Sequence, residues 1–121
     1  MTYFDPLETR SGDKRARDLA AALPQQIAHA QKLPGYAATL GRVEAATIDT
    51  IAALATLPVL RKSEIGTAQS KLPPFGGFTS LSASGFTHIF QSPGPIYEPG
   101  GGADDWWRLG RFLHAAGIGP G

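Results

Sequence analysis

Apolar positions in the first part of the chain follow helical spacing. They recur at intervals of three and four residues at Leu19, Leu23, Ile27 and Ala30. Ser11 or Asp13 can cap the N-terminus of this helix, which we expect to end near Leu33, before Pro34-Gly35. Pro24 removes one intrahelical hydrogen bond, so the pattern predicts a kink or two abutting helices there.

Weaker periodic segments predict three further short helices before residue 72. They are a helix over residues 36–40 closed by Gly41, a helix over residues 48–54 capped by Thr47, and a helix from Lys62 or Ser63 to about Gln69. Residues 71–85 give no helical support.

The second part of the chain changes period. Residues 86–90 alternate apolar and polar side chains, as a half-buried strand does, and residues 92–102 form a turn-rich run. Asp104 or Asp105 then opens a predicted helix that continues to Ala116. Its apolar stripe consists of Trp106, Leu109, Leu113 and Ala116.

Glycine and proline explain this contrast. Eight of the 25 Gly and Pro residues lie in residues 1–72 and seventeen in residues 73–121, so turns and loops must dominate the second part. The sequence therefore predicts a mostly helical α+β protein, with an N-terminal helical subdomain over residues 1–72 and a different unit over residues 73–121.

Composition excludes several function classes. The formal charge of +1 provides no basic field for nucleic acid, and no apolar run is long enough to span a membrane. The chain contains no cysteine, which excludes disulfides, thiol nucleophiles and cysteine-ligated zinc. We expect a cytoplasmic protein.

Few side chains have the spacing of a catalytic or metal-binding site. His29, His88 and His114 are far apart and lack metal-ligand spacing, so no metal site is predicted. The adjacent Asp104 and Asp105 favour a helix N-terminus over an acid and base pair. Residues 86–100 form a strand followed by a Gly- and Pro-rich loop, which is one way to bring backbone N–H groups to a phosphate. An ordinary tight connection has the same pattern.

The order of several segments resembles that of the phenylacetate-CoA ligases, members of the adenylate-forming (AMP-binding) superfamily. The resemblance rests on the opening FDPLET of residues 4–9, on IAHA and LPGY at 27–30 and 33–36, on residues 47–65, and on the C-terminal segment 113–121. It covers nearly the whole chain in order, and the strand and loop lie where the family has its phosphate-binding signature.

The resemblance implies a phosphate-loop equivalent at Ser92, Gly94 and Pro99, which match the Ser, Gly and Pro of the family's SSGTTGKP loop. Other positions differ: Pro93, Pro95, Ile96, Tyr97 and Glu98 replace Ser, Thr, Thr, Gly and Lys. Two N–H groups, the hydroxyl donors and a positive charge are therefore missing, so the loop is degenerate.

The resemblance further implies a parent enzyme that activates an aryl or acyl carboxylate with ATP and Mg and transfers it to coenzyme A. Residues 73–121 would begin the adenylate-forming core, and the remainder of that core would be the partner. We expect this chain to be an inactive N-terminal fragment with no cofactor of its own, and no catalytic residue is assigned. The alternative is a non-enzymatic helical interaction module, or a degenerate family member that does not bind nucleotide. In either case, exposed apolar surface near Trp106 and Trp107 would be covered by a partner or by a second copy of the chain.

Overall fold

A computed structural model describes residues 2–119 as an α+β protein that is 47% helical, which confirms the predicted class. The elements follow in the order α1 Gly12–Ala30, α2 Ala37–Leu40, α3 Ile51–Leu54, α4 Lys62–Lys71, β1 His88–Ser92, β2 Ile96–Gly100 and α5 Gly110–Ala115. Short 3-10 turns lie at Pro6–Thr9, Pro34–Tyr36, Ala45–Thr47 and Ala83–Gly85.

The long helix α1 begins as the sequence predicts. The Ser11 hydroxyl accepts the N–H of Lys14 at 3.2 Å, which is an N-cap hydrogen bond. Pro24 lies inside one continuous helix, so the prediction of two abutting helices is wrong. Good helix formers on both sides of Pro24 compensate for its one missing hydrogen bond. The helix ends at Ala30 because the N–H groups of Lys32 and Leu33 bond to carbonyls three residues earlier, not four.

The turn after α1 is held by one amide. The Gln31 side chain donates hydrogen bonds to the carbonyl oxygens of Leu40 and Val43, at 2.8 and 2.7 Å. These bonds fasten the end of α2, where Gly41 is the C-cap as predicted.

The third helix starts later than the sequence predicts. Thr47 ends a 3-10 turn and its hydroxyl donates to the Glu44 carbonyl, so it does not cap a helix. Thr50 has extended backbone, and its hydroxyl accepts the N–H of Ala53 at 3.1 Å; it therefore caps α3. The fourth helix starts at Lys62 as predicted and continues two residues past Gln69.

The C-terminal part differs most from the predictions. Four of the five β1 residues are exposed, so this strand is not half-buried, and the expected loop over residues 92–102 contains β2. The last helix begins at Gly110 because Asp105 and Arg108 have φ of +50° and +56°, which a continuous helix excludes. The Asp105 carboxylate still accepts the N–H of Gly110, at 2.8 Å.

The core is small. The buried apolar residues of the described range are Ile27, Leu40, Ile48, Phe75 and Ile96. Helix α4 contacts β2, and the Ala45–Thr47 turn contacts α1. Large apolar side chains remain exposed near the C-terminus, including Trp107 at 50% and Phe112 at 69%.

Candidate functional site

The predicted phosphate-loop residues lie on a β-hairpin. Ser92 is the last residue of β1, Gly94 lies in the connecting turn, and Pro99 belongs to β2. The strands pair antiparallel from His88 opposite Gly100 to Ser92 opposite Ile96. The structure therefore places Ser92 and Gly94 together at the tip, while Pro99 lies farther along the second strand.

The hairpin turn offers few donors to a phosphate. Gly94 has φ of +109°, a conformation that favours glycine, and its N–H is the sole one in the turn because Pro93 and Pro95 have none. The Ser92 hydroxyl donates to the Ile96 carbonyl at 3.4 Å. One N–H and no cation do not suit a triphosphate, so no step of ATP chemistry is derived at this turn.

The residues that depart from the ligase pattern have structural roles here. Ile96 is buried at 7% exposure and lies against Gly66 of α4. Glu98 forms an ion pair with Lys62 of α4 at 3.2 Å.

A glutamine from α4 binds the backbone of β2. The Gln69 side chain donates to the Tyr97 carbonyl at 2.7 Å and accepts the Tyr97 N–H at 2.9 Å. Gln69 is itself buried, with 7% exposure. Its amide therefore takes the place of a neighbouring strand along this edge.

Pro99 lines an aromatic cavity of about 260 Å³. Its walls include the Tyr36, Phe78, Phe86 and Trp106 rings, with His29 also in the lining. Tyr36 and Phe78 pack edge to face at 5.1 Å, as do Phe86 and Trp106 at 6.3 Å. Pro99 thus contributes apolar surface to a junction between residues 1–72 and 73–121.

The histidines remain apart in the structure. The described residues contain no group of three His, Asp or Glu side chains that could hold a metal ion. His114 Nε2 donates to the Thr2 carbonyl at 2.7 Å, and its ring lies 5.9 Å from that of Phe4.

Two carboxyl groups have pKa values below their ordinary value. For Asp18, hydrogen bonds from Lys14 and then from Arg10 lower the pKa. For Asp5, partial burial raises the pKa, but hydrogen bonds from Arg111 and the Leu7 N–H together lower it by more. Both groups form surface ion pairs away from the hairpin, so neither has the environment of a catalytic acid.

Comparison of the chain with protein-family models, curated proteins and solved structures gives no match. Among the helices in residues 2–119, none has the length and apolar character needed to cross a membrane.

The sequence did not reveal Gln69 or Lys62 as partners of the hairpin. They lie 28 and 36 residues from their partners, and no local sequence pattern indicates such a contact. Pro99 is a sequence signal that could have indicated such a contact. Proline within a strand is confined to edge strands, and a strand edge is often covered by another element.

Proposed function

We propose that this chain is the N-terminal docking portion of a phenylacetate-CoA ligase-like protein. The observation that carries this proposal is the exposed apolar surface of residues 106–113, which a larger core would cover. Leu109, Phe112 and Leu113 are 52%, 69% and 37% exposed. Exposed apolar surface of this kind is typical of a face that meets another body.

The remainder of the core would supply the chemistry. In this proposal, a parent enzyme activates an aryl or acyl carboxylate with ATP and Mg and transfers it to coenzyme A. The present chain packs against that core and does not bind ATP alone, since its hairpin turn offers one N–H and no cation.

Calorimetric titration of the 121-residue chain with ATP and Mg tests the second half of this proposal. We expect no binding up to about 1 mM nucleotide. A dissociation constant of about 1 mM corresponds to a binding free energy of about −4 kcal/mol. Saturable binding below that concentration would contradict it.

Two substitutions test the docking surface. Phe112→Glu should leave the free energy of unfolding of the isolated chain within about 0.5 kcal/mol, because the ring is 69% exposed. In the protein from the complete reading frame it should destabilise clearly, because a charge would enter a covered face. Val59→Glu, at another exposed apolar position, is the matched control. Equal effects of the two substitutions in the complete protein would contradict the proposal.

Pyrophosphate exchange in the complete protein, with ATP and a panel of aryl and acyl acids, tests the enzymatic activity of the parent. We expect exchange with at least one acid. Absence of exchange would favour a second candidate, a non-enzymatic interaction module or degenerate member, which the donor-poor turn supports.

The turn can be restored in the same protein. Changing Pro93→Ser and Pro95→Thr returns two N–H groups and two hydroxyls, so ATP affinity should rise. Ile96→Thr is left out because Ile96 is buried and its loss would disturb the core. Unchanged ATP affinity would mean that the two prolines do not limit binding.

A further inference from the structure

The two edges of the hairpin differ in their backbone groups. Gln69 bonds both the N–H and the C=O of Tyr97, so these groups point away from β1. In an antiparallel ladder, pairs that bond each other alternate with pairs whose backbone groups point outward. Tyr97 lies opposite Gln91, so the N–H and C=O of Gln91 point outward on the opposite edge.

The same alternation applies two residues along, where Ile89 lies opposite Pro99. Pro99 has no N–H to present on the outer side of β2, whereas Ile89 presents both an N–H and a C=O on the outer side of β1. Within residues 2–119, no hydrogen bond joins these outward groups of Ile89 and Gln91 to another element. The outer edge of β1 therefore offers two donors and two acceptors.

The side chains of β1 do not protect this edge. Natural edge strands avoid pairing with other chains by means of charged residues, proline or bulges within the strand. The five residues of β1 are His, Ile, Phe, Gln and Ser, and residues 86–97 contain no Asp, Glu, Lys or Arg. Ile89 is 51% exposed and Phe90 48%.

We propose that β1 pairs antiparallel with β1 of a second copy of this chain, about a two-fold axis at Phe90. In this register the Ile89 N–H donates to the C=O of Gln91 of the partner subunit, and the Ile89 C=O accepts the N–H of that same residue. The symmetric pair doubles the count to four backbone hydrogen bonds. The two Phe90 rings lie directly opposite, and the result is a four-stranded sheet.

Charge favours a second copy as the occupant. Like charges directly opposite in a sheet are destabilising, and this uncharged edge brings none together when it meets itself. The exposed rings add apolar area on one face, since the Trp107 ring lies 5.8 Å from that of Phe90. The area of one strand edge is below the roughly 800 Å² per partner of a standard interface, so association is weak and depends on concentration.

Sedimentation of the 121-residue chain from about 10 µM to about 1 mM tests the dimer. We expect a reversible monomer–dimer equilibrium for the wild type. Phe90→Lys places like charges at the axis and should raise the dissociation constant at least about tenfold. Ile89→Pro removes one edge donor while leaving the bonds to β2 in place, and it should have the same effect. Val59→Lys is the matched control and should associate as the wild type does.

The register has its own measurement. Phe90 and its counterpart form a non-hydrogen-bonded pair with Cα atoms about 4.5 Å apart. A mixture of isotope-labelled and unlabelled chains should therefore give an intermolecular Hα–Hα NOE at Phe90. A wild type that stays monomeric to about 1 mM overturns the proposal. This outcome includes the case in which the β1 edge binds a different protein. A dimer that lacks this NOE, or that persists unchanged in Phe90→Lys, also overturns it. Circular dichroism of each variant checks that it is folded, and the NOE needs no variant.

Discussion

Two of the junctions between the first 72 residues and the rest of the described chain are built differently. At the junction of α4 with β2, Ile96 and Gln69 are buried, and the Gln69 amide bonds the Tyr97 backbone. At the junction of the N-terminal segment with α5, the contacts are exposed and include a charged pair, in which Arg111 donates three hydrogen bonds of 2.8–3.1 Å to Asp5. The first junction depends on packing and neutral hydrogen bonds, and the second depends on ionisation.

The largest effect should come from Ile96→Ala at the buried junction. Loss of a buried isoleucine costs about 2–5 kcal/mol of unfolding free energy, because a cavity remains where the side chain was. Urea denaturation followed by tryptophan fluorescence measures it. Val59→Ala is the control and should stay within about 0.5 kcal/mol, since Val59 is 76% exposed. Equal effects at the two positions would mean that Ile96 does not support the fold.

Gln69→Leu should have the next largest effect. It keeps side-chain volume but leaves the Tyr97 N–H and C=O without partners, which should cost about 2 kcal/mol. Hydrogen exchange at the Tyr97 amide should also become faster. Thr67→Ala, at an exposed position of the same helix, is the control; a loss of stability there as large as at Gln69 would point to the helix and not to the amide.

The exposed junction should respond to pH. The pKa of Asp5 lies below its ordinary value of 3.8, so the unfolded chain binds its proton more readily than the folded chain. The stabilisation from this carboxylate is therefore complete above about 3.8 and is lost as pH falls through that value toward the lower folded pKa.

The midpoint temperature of unfolding, measured between pH 6 and pH 3, checks this assignment. Asp5→Asn should show a shallower decline than the wild type in the acidic range. Asp104→Asn is the control, because Asp104 forms no ion pair within residues 2–119. If Asp5→Asn and the wild type decline in parallel, the Asp5–Arg111 contact contributes nothing.

The smallest effect should come from Lys62→Ala, although it lies at the buried junction. The Lys62 and Glu98 side chains are 59% and 45% exposed, and such surface pairs contribute about 0–1 kcal/mol. Denaturation of the wild type and the variant at low and high salt measures this loss, and we expect little difference in stability between them at high salt. A loss as large as that from Gln69→Leu would mean that charge, and not the amide, holds α4 to β2.

Local signals explain which parts of the fold were predictable. Ser11 and the apolar stripe of α1 act within one or two turns, so the start of this helix follows from its own residues. The position of strand β2 does not follow from its own residues, because it pairs with β1 and its outer edge is bonded by Gln69, 28 residues away. The start of α5 was also not predictable, since Asp105 and Arg108 take left-handed backbone values that are uncommon for residues other than glycine.

The same distinction applies to the candidate site. Proline at positions 93 and 95 predicts directly that donors are missing from the turn, and the geometry agrees. The roles of Ile96, Tyr97 and Glu98 could not be predicted, because each is set by a partner on α4.

The Gln69 amide and Pro99 have a consequence for the size of any assembly. A chain with two open strand edges can add copies without limit and grow into a filament, whereas a chain with one open edge stops at two copies. Here the β2 edge is occupied by a side chain and interrupted by an imino acid, so pairing through β1 ends in a closed pair. One buried glutamine thereby separates finite association from open-ended polymerisation.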